Sequence, residues 1–300
     1  MTWDYFVRIA ENQNFQESPT LPEGLTGGFV DEVSVRFFTG NKEGARNSYM
    51  GKAKRDYQIP QAIQDAAPDF FSLPSSLWLG LQVEFELLTP WYSRDDRVFH
   101  VMDNPVCKDR VFGVPFMAAS SWKGMLRWAF RMRMKLIGPE KEADKGKRKR
   151  AQAWELHLFG NEKGEEENFH RGALVFFPTW FNKIGFEVIN PHRRDTRAGT
   201  QPIYYEVVSP GAKGVLSLLY APWPGMKPEA KPKDVLPKLF EAIETLLATY
   251  GISAKRTVGW GTAEILKWRA FHKEKGETEK DSLDELWNEI QAWLPEGGTP

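Results

Sequence analysis

The residues best suited to chemistry stand in two stretches between Met102 and Arg127. The first is Asp103-Asn104-Pro105, a carboxylate in a turn whose proline restrains the backbone of the residue before it. A loop carboxylate of this kind can hold a metal ion or take a proton from a ribose hydroxyl; an Asp before Asn-Pro is also an ordinary turn former. The second stretch is Ser120-Ser121-Trp122-Lys123-Gly124. Ala119, Ser120 and Ser121 supply small side chains and hydroxyls to cap a helix opening near Trp122, and the N–H groups and positive dipole end of such a helix attract anions such as phosphate. Lys123, Arg127, Arg131 and Lys135 follow at four-residue intervals as a basic stripe, which either contacts phosphates or is a solvated face.

These groups need a scaffold, and the hydrophobic pattern predicts one. Trp78 to Leu88 alternates like a half-buried strand ended by Thr89-Pro90, and residues 91–118 read as a long irregular loop that carries Asp103. A helix from about Ser121 to Leu136 turns Trp122, Leu126, Ala129, Phe130 and Ile137 inward and stops at Gly138-Pro139. The charged run that follows, to Arg150, reads as a mobile connection to a short helical piece around Trp154. Arg171 to Phe177 and Gly214 to Tyr220 read as strands, with a polar extension over Asn190 to Val208 between them. Pro232 to Tyr250 is an amphipathic helix with Leu236, Leu239, Ile243, Leu246 and Leu247 inward, and Gly259 to Trp268 is the closing strand. Strand, helix, strand, strand, helix, strand is the order of an α+β, ferredoxin-like (RRM-like) βαββαβ core.

Two further groups suit RNA. Arg193, Arg194 and Arg197 lie in the polar extension, where they fit backbone contacts that position RNA without reading its sequence, or a solvated loop. Lys255 and Arg256 precede Gly259-Trp260-Gly261. This short glycine pair comes before a strand instead of after one, which excludes a dinucleotide-binding fingerprint. Trp260 is placed either to stack on a base or to fill the core.

The order of Met102 to Arg127, Leu158 to Gly164 (LFGNEKG), Arg171 to Phe181 (RGALVFFPTWF) and Lys255 to Ile265 (KRTVGWGTAEI) resembles the RAMP superfamily. More narrowly, it resembles the RNA-binding backbone subunit of type III CRISPR effector complexes. The family pattern of Asp, a small residue and Pro, then a Gly-Ser-Ser-x-Lys-Gly-x-x-Arg helix start, falls on Asp103, Asn104, Pro105, Ser120, Ser121, Lys123, Gly124 and Arg127; Ala119 replaces the first glycine. The resemblance implies the same fold, with loop and hairpin insertions that grip RNA and a glycine-rich loop before the last strand. It makes Asp103 the residue that cleaves target RNA paired to the guide, with magnesium (Mg2+) assisting. Arg193, Arg194 and Arg197 then fall in the hairpin wedged against the guide–target duplex, and Gly259 to Gly261 in the loop along the guide. Ser120, Ser121, Lys123, Arg127, Arg131, Lys255 and Arg256 become guide contacts. The implied partners are guide RNA (crRNA), complementary target RNA and other CRISPR effector subunits, in antiviral defense. Two alternatives stay open: a non-catalytic scaffold or capping subunit of such a complex, and a stand-alone, metal-independent endoribonuclease that processes repeat RNA, with His100 as base.

Composition limits these readings. The chain has 300 residues, 41% hydrophobic and 13% aromatic, which suffices for a sizeable core. Forty basic residues balance forty acidic ones, so phosphate affinity has to come from local charge. Thirteen of the basic residues lie between Lys108 and Arg150, while Glu165 to Glu167 and the stretch from Lys273 to Glu296 are acid-rich. Neutrality disfavours an enzyme that captures RNA alone. The single Cys107 excludes a disulfide framework or Cys-rich zinc site within the chain, and the five histidines have no metal-ligand spacing. No long apolar run is present, so the expected setting is cytoplasmic, without a membrane span. The expected division is an extension over residues 1–77, the RAMP-like domain over 78–268 and an acidic amphipathic helix within 269–300. In the extension, Val33 to Phe38 reads as a strand and Asn41 to Arg55 as a basic, RNA- or neighbour-binding loop.

Overall fold

The computed structural model of the protein describes residues 37, 40–56, 58–96, 100–109, 112–138, 145–162, 169–191, 195, 199, 202–223 and 230–295. Helix α1 (Lys42–Ala53), the short strand β1 (Arg55–Asp56) and helix α2 (Gln61–Asp65) lead into β2 (Leu79–Leu87). β2 is the strand its alternation predicts: Leu81, Val83, Phe85 and Leu87 are buried, while Gln82, Glu84 and Glu86 lie partly exposed on the other face. β3 (Phe116–Met117) passes the chain to helix α3 (Ala119–Arg133), which buries Trp122, Leu126, Ala129 and Phe130. Helix α4 (Lys145–Phe159) follows, then β4 (Leu174–Phe176), β5 (Thr179–Trp180) and a hairpin of β6 (Lys183–Ile189) and β7 (Ile203–Val207). The remaining elements are β8 (Lys213–Tyr220), helix α5 (Pro232–Thr245) with a π-helical turn at Leu246–Tyr250, β9 (Ala263–His272), β10 (Gly276–Lys280) and helix α6 (Leu283–Ile290).

The main sheet runs β10-β9-β2-β8-β4 with every neighbouring pair antiparallel. In chain order β2, α3, β4, β8, α5 and β9 alternate as βαββαβ, the protein being α+β. Side chains of α3 and α5 share one core with the inward side of β2. Trp122, Leu126 and Phe130 meet Leu236, Leu239, Phe240 and Ile243 there, each worth about 1.5–3 kcal/mol over exposure. Leu286 and Ile290 of α6 are buried in the same cluster. The hairpin β6–β7 leaves this body and, with β1, forms a separate three-stranded sheet.

Several elements differ from the sequence reading. The basic loop expected over Asn41 to Arg55 is mostly helix α1: Asn41 accepts a hydrogen bond from Gly44 N at 2.9 Å, and Ala45, Tyr49 and Ala53, spaced by four, are fully buried on one side. The strand expected over Val33 to Phe38 lies outside the described residues, Phe37 excepted. The charged run before Trp154 is helical from Lys145. α3 stops earlier than expected because Lys135 adopts φ 55 and Leu136 N returns to Arg131 O at 2.8 Å, a helix-ending turn that leaves Ile137 50% exposed. The polar extension contains β7, and the strand β6 ahead of it was not anticipated.

Candidate functional site

Residues 91–96 and 100–109 are not free loop segments but pair with each other. Asp95 N donates to Pro105 O at 3.1 Å and Cys107 N to Ser93 O at 2.7 Å, and Arg94 pairs with Val106. The first segment is tied to the body through Trp91, which pairs with Val208 and whose indole N–H reaches Ile252 O at 2.9 Å. The second bends at Asp103-Asn104. Asn104 O accepts from Glu206 N at 3.0 Å and its side-chain amide donates to Tyr204 O at 3.2 Å, so β7 holds the bend from one side. From the other side α1 holds it: Arg46 Nη2 donates to Asp103 Oδ1 at 2.8 Å and Nε to Val101 O at 3.0 Å. The Asp103 side chain stays 63% exposed.

Beneath the bend is a buried polar cluster. Lys108 Nζ lies 2.5 Å from Glu206 Oε1 and 2.7 Å from Tyr49 Oη, the Tyr49 hydroxyl also hydrogen-bonds Glu206 Oε1, and Val106 N donates to Oε2 at 3.1 Å. Burial pushes the Glu206 carboxyl up, but the charges of Lys108 and His100 and the bonds from Lys108 and Tyr49 outweigh it and hold the group below its ordinary value. Ala45, Tyr49 and Ala53 pack with Val101, Met102 and Ile184 around this cluster. α1, the Asp103 bend and the hairpin thus form one unit. His100 lies inside it, edge-on to the Tyr49 ring at 5.0 Å, with Nδ1 accepting from Met102 N at 3.1 Å.

The glycine-rich segment meets the same unit through Tyr205, the β7 residue paired with Asn104. Lys255 Nζ stands 4.9 Å over the Tyr205 ring and Trp260 packs edge-on at 5.7 Å, half-buried as core filling. Arg256 lies 4.0 Å over the Trp128 ring of α3. Gly259 and Gly261 both have positive φ, but for different ends. A Cβ on Gly261 would stand 2.4 Å from Ser253 N, so packing demands glycine there; one on Gly259 would meet nothing within 4 Å.

Helix α3 begins differently from expectation. Its N-cap is Ala118, which has no side-chain oxygen, and no side chain caps it; Ser120 and Ser121 lie inside the first turn, where their hydroxyls replace no cap. Its opening borders a 340 Å³ cleft lined by Ala119, Ser120, Lys123, Asn161, His170 and Arg171, among others. Burial, and then the neighbouring Arg127 charge, lowers the pKa of Lys123. Gly124 is exposed, with open space where its Cβ would be. The rest of the basic stripe is engaged by the protein itself. Arg127 donates to Gly160 O and lies 3.5 Å from Glu155; Arg131 bonds Glu155 at 2.8 Å and also pairs with Glu162. Lys135 is off the helix. Asp103 does not line the cleft, and Arg193, Arg194 and Arg197 lie outside the described residues.

Among the described residues no three His, Cys, Asp or Glu side chains come together as a metal site. Asp103, already paired with Arg46, is the one carboxylate that the described residues place at this bend for a magnesium ion, so these residues do not by themselves make a metal centre and no step is derived through one. Sequence reasoning missed Tyr49, Lys108, Tyr205 and Glu206, and it read Arg46 only as part of a basic RNA- or neighbour-binding loop, not as a partner of Asp103. The legible signals were Glu206 within the apolar run Ile203 to Val208 and the four-residue spacing of Ala45, Tyr49 and Ala53.

The fold is similar to a chain in the cryo-EM structure of the type III-B Cmr-beta bound to cognate target RNA. Identity is 15% and the TM-score 0.51, over 77% of this chain and 76% of that one. A chain of the Csm3-Csm4 subcomplex in the type III-A CRISPR-Cas interference complex is similar at 19% identity and TM-score 0.41, over 74% of this chain and 97% of that one. No curated protein matches the chain. Among the described residues no helix is long and apolar enough to cross a membrane. The sequence model of the RAMP superfamily matches residues 84–264, from within β2 to the start of β9 and through the Asp103 bend, and the chain belongs to that superfamily.

Proposed function

We propose that this protein is a guide-RNA-binding backbone subunit of a type III CRISPR effector and cuts complementary target RNA at Asp103. The observation that carries the reading is the Asp103 bend. An exposed carboxylate is held at a bend that α1 and β7 fasten from both sides, inside the family-matched region. The similarity to a subunit of a complex bound to cognate target RNA supports the same class of substrate.

In this reading the α3 opening, with Lys123, His170 and Arg171 around its cleft, and the Lys255–Arg256–Gly259 segment hold guide phosphates. Gly124 and Gly259, with open space at both, let RNA backbone approach closely. Arg193, Arg194 and Arg197 position the duplex. Asp103 takes the proton of a target ribose 2′-hydroxyl, and that oxygen attacks the adjacent phosphorus. DNA lacks the hydroxyl and is not cut by this route. Magnesium dependence is carried as part of the proposal: Asp103 would be the described residue to hold the ion, which would supply positive charge at the reacting phosphate. The reading places the protein in the cytoplasm with its RNA and effector partners.

The Arg46 pairing, which occupies Asp103, favours a second reading as a non-catalytic scaffold. One experiment separates the two: target-RNA cleavage by the guide-loaded complex with Asp103→Asn, with and without magnesium. Loss of cutting with guide and target binding intact supports the nuclease; unchanged cutting makes this chain a scaffold.

A further inference from the structure

We propose that Arg46, on helix α1 outside the family-matched region, is a catalytic residue of the Asp103 site and binds the scissile phosphate. The inference rests on the nuclease reading above. Its first support is geometry. The guanidinium spends Nε on Val101 O and one Nη2 contact on Asp103 Oδ1, 2.8 Å away, and its side chain remains 32% exposed. A phosphate whose neighbouring ribose hydroxyl reaches Asp103 is therefore also beside the remaining N–H groups of Arg46, and a guanidinium fork matches phosphate oxygens.

Its second support is how firmly the cation is placed. Arg46 sits one turn from Tyr49 on a helix whose inner face is fully buried, and Tyr49 is bound into the Lys108–Glu206 cluster. As a clasp alone the pair makes little sense, because exposed ion pairs add little stability and the buried cluster already fastens α1. As a permanent cation beside a carboxylate at an accessible bend, it supplies what the reaction needs at the phosphate.

The step balances as follows. Asp103 takes the 2′-hydroxyl proton, the O2′–P bond forms, the P–O5′ bond breaks, and the departing O5′ takes a proton from water. The products carry a 2′,3′-cyclic phosphate and a 5′-hydroxyl. Arg46 keeps all its protons and donates hydrogen bonds to a non-bridging oxygen as charge builds there.

The test uses the guide-loaded complex at saturating target RNA, measuring single-turnover cutting, target affinity and melting temperature for Arg46→Ala, Arg46→Lys and Asp103→Asn. Arg46→Ala is expected to slow cutting about 100-fold with affinity and melting near wild type. Arg46→Lys is expected to keep part of the rate, and added methylguanidinium to restore part of it to Arg46→Ala. Wild-type cutting by Arg46→Ala, while Asp103→Asn is dead, overturns the inference and leaves the nuclease reading standing. A slow Arg46→Ala that melts early and that neither lysine nor methylguanidinium rescues makes the pair a structural clasp and overturns it too. Full cutting by Asp103→Asn removes the nuclease reading and this inference with it.

Discussion

Replacing Lys108 by Met tests whether α1 is fastened to the Asp103 bend by a buried charge pair. The Lys108 side chain is 3% exposed and that of Glu206 fully buried. With Lys108 gone, Glu206 keeps the Tyr49 hydroxyl and Val106 N–H but loses the nearest and largest opposing charge. An uncompensated carboxylate at such a site costs about 3–5 kcal/mol, against a total stability of about 5–15 kcal/mol for an ordinary domain. Glu206→Gln should cost a similar amount by stranding the ammonium. In Lys108→Met/Glu206→Gln neither charge is left behind, so the double variant should fall short of the sum of the singles by about 2 kcal/mol or more. Urea unfolding of all four proteins measures this cycle. Hydrogen exchange over residues 42–53 should show α1 losing protection in both singles, because Tyr49 loses a charged partner in each. Two results would refute the reasoning: a Lys108→Met cost under about 1 kcal/mol, or simple additivity of the singles. Either would mean that the hydrophobic packing of Ala45, Tyr49 and Ala53 alone holds α1 in place.

Guide binding should separate the two ends of the α3 stripe. Lys123→Ala is expected to lower the slope of log affinity against log salt by about 1, whereas Arg131→Ala, whose guanidinium is held by Glu155 and Glu162, should leave the slope unchanged; binding titrations across salt concentrations decide it. Acid should destabilise the fold through His157. Burial, with the charge of His170, lowers its pKa from 6.5 to about 4, and Nε2 lies 2.9 Å from Tyr220 Oη. The unfolded chain takes the proton first as pH falls, so this contribution is complete above about pH 6.5 and is lost towards pH 4, about 3 kcal/mol in all. Melting temperature against pH should fall in that window, and His157→Gln should flatten the fall.

What the amino-acid order determined by itself was local and periodic. The alternation of β2, the Trp122, Leu126 and Phe130 spacing of α3, and the Leu236 to Leu247 pattern of α5 each depend on neighbours within one or two turns, so they are readable without partners. The Asp103 turn and the Lys123 helix start were legible for the same reason, as short motifs on a loop and at a helix opening. Tertiary structure alone decided what surrounds them. Tyr49 and Glu206 are 157 residues apart in sequence and Arg46 and Asp103 are 57 apart, so the spacing of Ala45, Tyr49 and Ala53 could mark a buried helix face but not that this face packs against the Asp103 bend. The same holds for the basic stripe. Its four-residue spacing placed Arg127 and Arg131 on one side of a helix, but whether those charges meet RNA or protein depended on where α4 docks, and there Glu155 claims both. A side chain's direction follows from its own backbone, whereas its partner follows from the packing of the whole chain, and in this protein the second set what surrounds Asp103.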